Sequence, residues 1–179
     1  IGQNAAAAAS VISLSSTLPV LAFAGDVSTR STIQSLLSAS MRNSNLLYIC
    51  YNNSGMSTID YFSQKEDLAK IMYHYSSYVA TASVAYPEDF VNKIKKALAI
   101  VGTKFIEIFA PCPALLGTDP SNTIEIARLA TETSLWPLYE AENKKISLTK
   151  RPTRNESIEL YLQSQKKFSL PENEMRQLQ

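Results

Sequence analysis

"VLAFAGDVSTRSTIQSLLSASMRNSNLLYICYNNSG", residues 20–55, holds two short apolar runs with a helix-like segment between them. The first run stops at Gly25-Asp26 and the second at Asn52-Asn53. Runs this short, apolar on both faces and closed by turn residues, suit strands buried in a parallel sheet better than helices. Between them, over 31–42, Ile33, Leu36, Leu37 and Met41 recur at helical spacing. Strand, helix, strand implies a right-handed crossover, so both polar clusters leave the sheet at the same edge.

The same unit repeats outward. Residues 4–15 are alanine-rich and predict a helix capped by Asn4 and packed through Ala8, Val11, Ile12 and Leu14. After a loop over 52–64, "KEDLAKIMYHY" (65–75) has an acidic start and a 3.6-residue pattern. "SYVATASVAY" (77–86) reads as a strand. "PEDFVNKIKKALAI" (87–100) carries proline and acids early and lysines late, matching the helix dipole at both ends. "KFIEIFAPC" (104–112) is a fourth strand. The expected fold is α/β, doubly wound, on a mostly parallel sheet, with residues 1–135 as the main domain. "SNTIEIARLATETS" (121–134) is an N-capped helix. Beyond it, residues 136–179 predict a hairpin with an exposed turn at 142–145, anchored by Trp136 and Pro137, then an amphipathic helix over 155–168 and a polar tail. This C-terminal part is expected to pack on the domain or on a partner subunit.

Composition removes several functions. A net charge of +1 with 18% charged residues gives neither a nucleic-acid footprint nor a polybasic membrane patch. The five glycines are scattered, so no window forms a Gly-rich dinucleotide or Walker-type phosphate cradle. Cys50 and Cys112 form no C-x-x-C, which argues against a disulfide scaffold or a complete zinc site and for a reducing, cytoplasmic location. No apolar run has the length of a membrane span. The chain begins at Ile1 rather than Met, so an upstream piece is expected. His74, the only histidine, sits between Tyr73 and Tyr75 on a predicted helix and reads as a surface or packing residue; Lys93, Lys95 and Lys96 read as a solvated helix face.

In an open parallel sheet, ligands bind beyond the carboxyl ends of the strands. Asp26 leaves the first strand there, Asn52 and Asn53 the second, and Cys112 the last. A carboxylate, an amide oxygen and a backbone carbonyl are hard donors, the set Mg²⁺ takes when phosphate oxygens complete its octahedron. On spacing alone two readings stand: one metal holding a diphosphate, or turn and cap residues for the helices that follow.

The residues also resemble a known pattern. "GD", about 25 residues, then "NN" at the next strand end resembles the thiamine diphosphate signature. "LYICYNN", "YVATASVAYPEDFVNKIKKA", "KFIEIFAPCP", "IEIARLATETSLWPLYE" and "YLQSQKKF" together resemble the β subunit of the pyruvate and 2-oxoacid:ferredoxin oxidoreductases over nearly the whole chain. That resemblance implies a thiamine diphosphate domain that decarboxylates a 2-oxoacid, pyruvate first among them. It also implies other oxidoreductase subunits, CoA in some members, and electron transfer through iron-sulfur clusters to ferredoxin.

Carried over by position, Asp26, the Asn53 side chain and the Gly55 carbonyl are implied Mg²⁺ ligands, with Asn52 and Thr58 also at the cofactor. Cys112 matches the fourth ligand of a [4Fe-4S] cluster, whose other three cysteines the family carries upstream. No catalytic triad is expected, because the cofactor carries the chemistry. Departures from the pattern are equally specific. Val27 stands where the family has glycine, Arg30 where it has an acid, Asn52 where it has aspartate and Ser54 where it has glutamate. Of an Asn-Thr-Gly only Ser57, Thr58 and Ile59 correspond. The alternative is therefore a non-catalytic structural or assembly relative that has lost the cofactor.

Overall fold

Six strands form one sheet in the order β1-β2-β4-β3-β5-β6, its first four parallel and the last two antiparallel. The computed structural model describes residues 5–53, 67–154 and 156–165. In chain order the elements are α1 (Ala5–Ser15), β1 (Val20–Gly25), α2 (Asp26–Ser31), α3 (Ile33–Met41), β2 (Leu46–Asn52), α4 (Leu68–Tyr73), β3 (Tyr78–Ser83), α5 (Pro87–Ala99) and β4 (Lys104–Phe109). They continue with α6 (Pro113–Leu116), a 3₁₀ turn (Pro120–Asn122), α7 (Thr123–Glu132), β5 (Leu138–Glu142), β6 (Lys145–Lys150) and α8 (Ile158–Gln163). The strands expected from the sequence are present, and helices cover both faces.

Strand pleating sorts the core. Ala22, Ala24, Tyr48, Cys50, Val79 and Phe105 face one layer with Leu36, Leu68 and Met72. Leu47, Ile49, Ala80, Ala82, Ile106 and Ile108 face the other, under Phe90, Ile94 and Ala97 of α5. A third cluster closes the carboxyl end around Trp136, whose indole stacks on Phe109 with centroids 5.1 Å apart and donates to the Ala82 carbonyl at 2.8 Å. Trp136 thus anchors the hairpin as expected. The hairpin itself extends the sheet, since β5 pairs with β3.

Three expectations need correction. In α1 the buried residues are Ala6, Ala9 and Ser10, while Val11, Ile12 and Leu14 are exposed. Small side chains let this helix lie close on Ala22, Ala24 and Ala39, and that fixes which face turns inward. Its larger residues are exposed, as are Leu21 and Phe23, which lie on the face of β1 opposite Ala22 and Ala24. Lys93 is not on a solvated face: only 2% exposed, its ammonium donates to the Thr81 carbonyl at 2.8 Å, Thr149 Oγ1 at 2.7 Å and Asp89 Oδ2 at 2.5 Å. The β5–β6 hairpin closes over that side of α5, which helical spacing within α5 does not foresee. In the region of the helix read over 121–134, Asp119 caps the 3₁₀ turn by accepting from the Ser121 amide at 2.8 Å, and α7 starts only at Thr123.

Candidate functional site

Gly25 ends β1 opposite Tyr51 of β2, and a Cβ there would meet the Tyr51 ring at 3.2 Å. The Tyr51 ring thus lies against the bare Cα of Gly25, and the chain turns at once into α2. Asp26 is the first residue of that helix and is 3% exposed. Burial pushes its carboxyl above the usual carboxylate range, against the pull of the Val27 amide, its own amide and the Arg30 charge. Thr29 secures α2 to the sheet: its hydroxyl donates to the Gly25 carbonyl at 2.8 Å and lies 3.1 Å from the Tyr48 hydroxyl. Val27, where the resembled family has glycine, is exposed.

One step beyond the Gly25–Tyr51 pair lies Asn52, so the polar ends of β1 and β2 are neighbours. The strand end is held to β4 on its other side. Ala110 N donates to the Asn52 carbonyl at 2.8 Å and Cys112 N to the Asn53 carbonyl at 3.1 Å. Asp26, Asn52, Asn53 and Cys112 thus share one rim at the carboxyl ends of β1, β2 and β4. Gly55 and Thr58, with Ser57 and Ile59, lie outside the described residues.

Beneath the rim, sequence reasoning missed Glu107. It pairs in register with Cys50 and is 2% exposed. Asn52 Nδ2 donates to its Oε1 at 3.1 Å and Ala69 N to its Oε2 at 3.2 Å. Burial, reinforced by the charge of Asp67, pushes this carboxyl up to about 8, against the donors of Asn52 and Ala69 and the charge of Arg30. The same surroundings push the Cys50 thiol up. The signal was present as one glutamate within "FIEIF", an ionisable residue in a strand predicted to be buried on both faces.

Among the described residues no three His, Cys, Asp or Glu come together as a metal centre. A cation at this rim would draw on one carboxylate plus amide and carbonyl oxygens. Mg²⁺ accepts that sparse set when a phosphate supplies the rest. Asp26 fits it, because a buried carboxylate that burial destabilises is one a cation would stabilise. For Cys112, half-buried and free, a cluster needs thiolates from elsewhere. A cavity of about 530 Å³ lined by Tyr73, Ser77, Val101 and Lys144 opens at the opposite, amino-terminal end of β3 and β4, away from this chemistry. Among the described residues no helix is long and apolar enough to cross a membrane.

Residues 1–108 match the family described as thiamine pyrophosphate enzyme, C-terminal TPP binding domain. The chain is 40% identical over 175 residues to the pyruvate synthase subunit PorB of Methanothermobacter marburgensis, covering 83% of this chain and 61% of that one. It is 45% identical over 107 residues to the ketoisovalerate oxidoreductase subunit VorB of Pyrococcus abyssi, covering 59% and 34%. It therefore spans about 61% of the length of the PorB relative. Among solved structures, the 2-oxoglutarate:ferredoxin oxidoreductase from Magnetococcus marinus superposes with a TM-score of 0.52 at 20% identity, over 63% of this chain and 46% of that chain. At that identity the likeness establishes the fold.

Proposed function

Since the chain belongs to the thiamine pyrophosphate enzyme family as a C-terminal TPP binding domain, we propose that it is the β-type subunit, or part of one, of a 2-oxoacid:ferredoxin oxidoreductase. Pyruvate is the proposed substrate, following the PorB relative. The observation that carries this reading is the Gly25–Tyr51 pairing, from which buried Asp26 and Asn52 leave adjacent strands at the same edge of the sheet. Other subunits complete the enzyme, ferredoxin accepts its electrons, CoA is the proposed acyl acceptor, and the assembly is cytoplasmic.

Bound there, thiamine diphosphate supplies the carbon nucleophile and the electron sink for 2-oxoacid decarboxylation. The chain's own residues bind and orient. Asp26 offers a carboxylate oxygen to Mg²⁺ and gains the counter-charge that its burial otherwise denies it. Asn53 offers its amide oxygen, while its carbonyl, engaged by Cys112 N, fixes the backbone from which that side chain leaves. Gly55, Asn52 and Thr58 are assigned to the same binding region, and Cys112 to a [4Fe-4S] cluster completed by thiolates outside residues 1–179.

The purified assembly is expected to reduce a low-potential dye with pyruvate and to lose that activity in Asp26→Ala. An active Asp26→Ala assembly would contradict the assignment of Asp26. A folded assembly with neither activity nor cofactor would favour the scaffold alternative, for which the specific observation is Val27 in place of glycine.

A further inference from the structure

We propose that Glu107 is a positioning residue whose single carboxyl group fixes the end of β2 against the start of α4. One oxygen holds each segment: Oε1 accepts from Asn52 Nδ2 at 3.1 Å, and Oε2 accepts from Ala69 N at 3.2 Å. The Ala69 amide is shared with Asp67 Oδ1 at 2.9 Å, so two carboxylates converge on the first turn of α4. Glu107 reaches both from β4, which lies between β2 and β3, and it is 2% exposed.

The fold alone does not call for a carboxylate here. Its neighbours along the same face, Phe105 and Phe109, are apolar, and an apolar side chain would fill the place without the desolvation cost of an acid. What the acid adds is two acceptors at one point, each used by a different segment. Asn52 is thereby held through its amide nitrogen, and the next residue, Asn53, through its carbonyl. Aspartate in place of Asn52 would set a second acid against Glu107 and remove the N–H that donates to it, so Asn52 and Glu107 form a matched pair.

The test compares Glu107→Gln, Asn52→Asp and the double variant in the purified assembly. Glutamine has one acceptor oxygen; with Asn52 Nδ2 as its partner, its own Nε2 faces the Ala69 amide, which is then left to Asp67 Oδ1 alone. In the double variant the glutamine Nε2 donates to the introduced aspartate while its oxygen accepts from Ala69 N, which restores both. Hydrogen exchange at the Ala69 amide is expected to quicken about tenfold in Glu107→Gln, the loss of one hydrogen bond. Amides of β4 are expected to be unchanged, and the double variant to return toward wild type. Unchanged exchange at Ala69, or a uniform acceleration that the double variant does not reverse, would overturn the proposal.

The bearing on cofactor affinity rests on the function proposed above. Affinity for thiamine diphosphate with Mg²⁺ is expected to fall about tenfold in Glu107→Gln and to recover in the double variant. Unchanged affinity in Glu107→Gln would overturn the cofactor part. If the wild type takes up no cofactor, the function reading fails, and the exchange result still decides the role of Glu107.

Discussion

On the β3–β5–β6 flank, buried charge meets opposite charge: the Lys93 ammonium is divided among Thr81, Asp89 and Thr149, although burial still holds it below the usual lysine range. Beside it, Glu140 takes Lys96 at 2.7 Å and the Tyr78 hydroxyl at 2.9 Å. At the mouth of β1 and β2, by contrast, Asp26 and Glu107 are held mainly by amides, and the attraction of Arg30 is smaller than the cost of burial. The carboxyls respond oppositely. Glu140 is held below the usual range by Lys96 and Tyr78. Glu132 is held there by the amides of Arg154 and Thr153 with the Tyr86 hydroxyl, in each case against the effect of burial. Asp26 and Glu107 are pushed above it. The flank pairs its acids with cations from this chain, whereas Asp26 at the rim is the carboxyl that the proposed Mg²⁺ would stabilise.

The comparison breaks first on the flank. Trp136→Ala removes the indole that stacks on Phe109 and holds the Ala82 carbonyl, and is expected to cost about 4 kcal/mol in urea unfolding. Lys93→Ala leaves Asp89, in the first turn of α5, and the Thr81 carbonyl without their buried partner and is expected to cost about 3 kcal/mol. Losses below about 0.5 kcal/mol in both would mean that this flank is not the rigid part.

At the rim, a saturating ligand should do what the flank does for itself. Thiamine diphosphate with Mg²⁺ at about 100 times its dissociation constant is expected to add about 2.7 kcal/mol to wild-type stability and close to nothing to Asp26→Ala. Equal stabilisation of both would remove Asp26 from the site.

The smallest effect is the pH slope. Glu107 has a folded value near 8 against its ordinary 4.5, so between these values the folded chain binds more protons than the unfolded chain. Its contribution is complete below about 4.5 and is lost as pH rises through about 8. Glu132 and Glu140, with depressed values, contribute in the opposite sense: their stabilisation is present above 4.5 and is lost as the solution is acidified through their folded values. Glu107→Gln is expected to flatten the decline between about pH 5 and 8 while leaving the acid limb alone. Identical slopes in the two proteins would show that the burial of Glu107 carries no such linkage.

How much of this could be read in the sequence follows from what kind of contact is involved. The strands β1 to β4 were legible because continuous apolar runs ending in polar residues report burial directly, and Trp136 because a large residue beside a hairpin has few places to go. The inward face of α1 was misread because alanines pack closer than the larger residues beside them, a matter of shape rather than hydropathy. Lys93 was misread because its partners Thr81 and Thr149 lie 12 and 56 residues away. At the site, Asp26, Asn52, Asn53 and Cys112 were legible as strand-end residues. Glu107 joins them only through the β2–β4 pairing, which bridges 55 residues of sequence.

The most direct measurement is calorimetric titration of thiamine diphosphate with Mg²⁺ into the cofactor-stripped assembly, wild type against Asp26→Ala. The account predicts near-stoichiometric binding to the wild type and affinity at least about 100-fold weaker in the variant. No binding to a folded wild-type assembly, or equal binding to both, would contradict it.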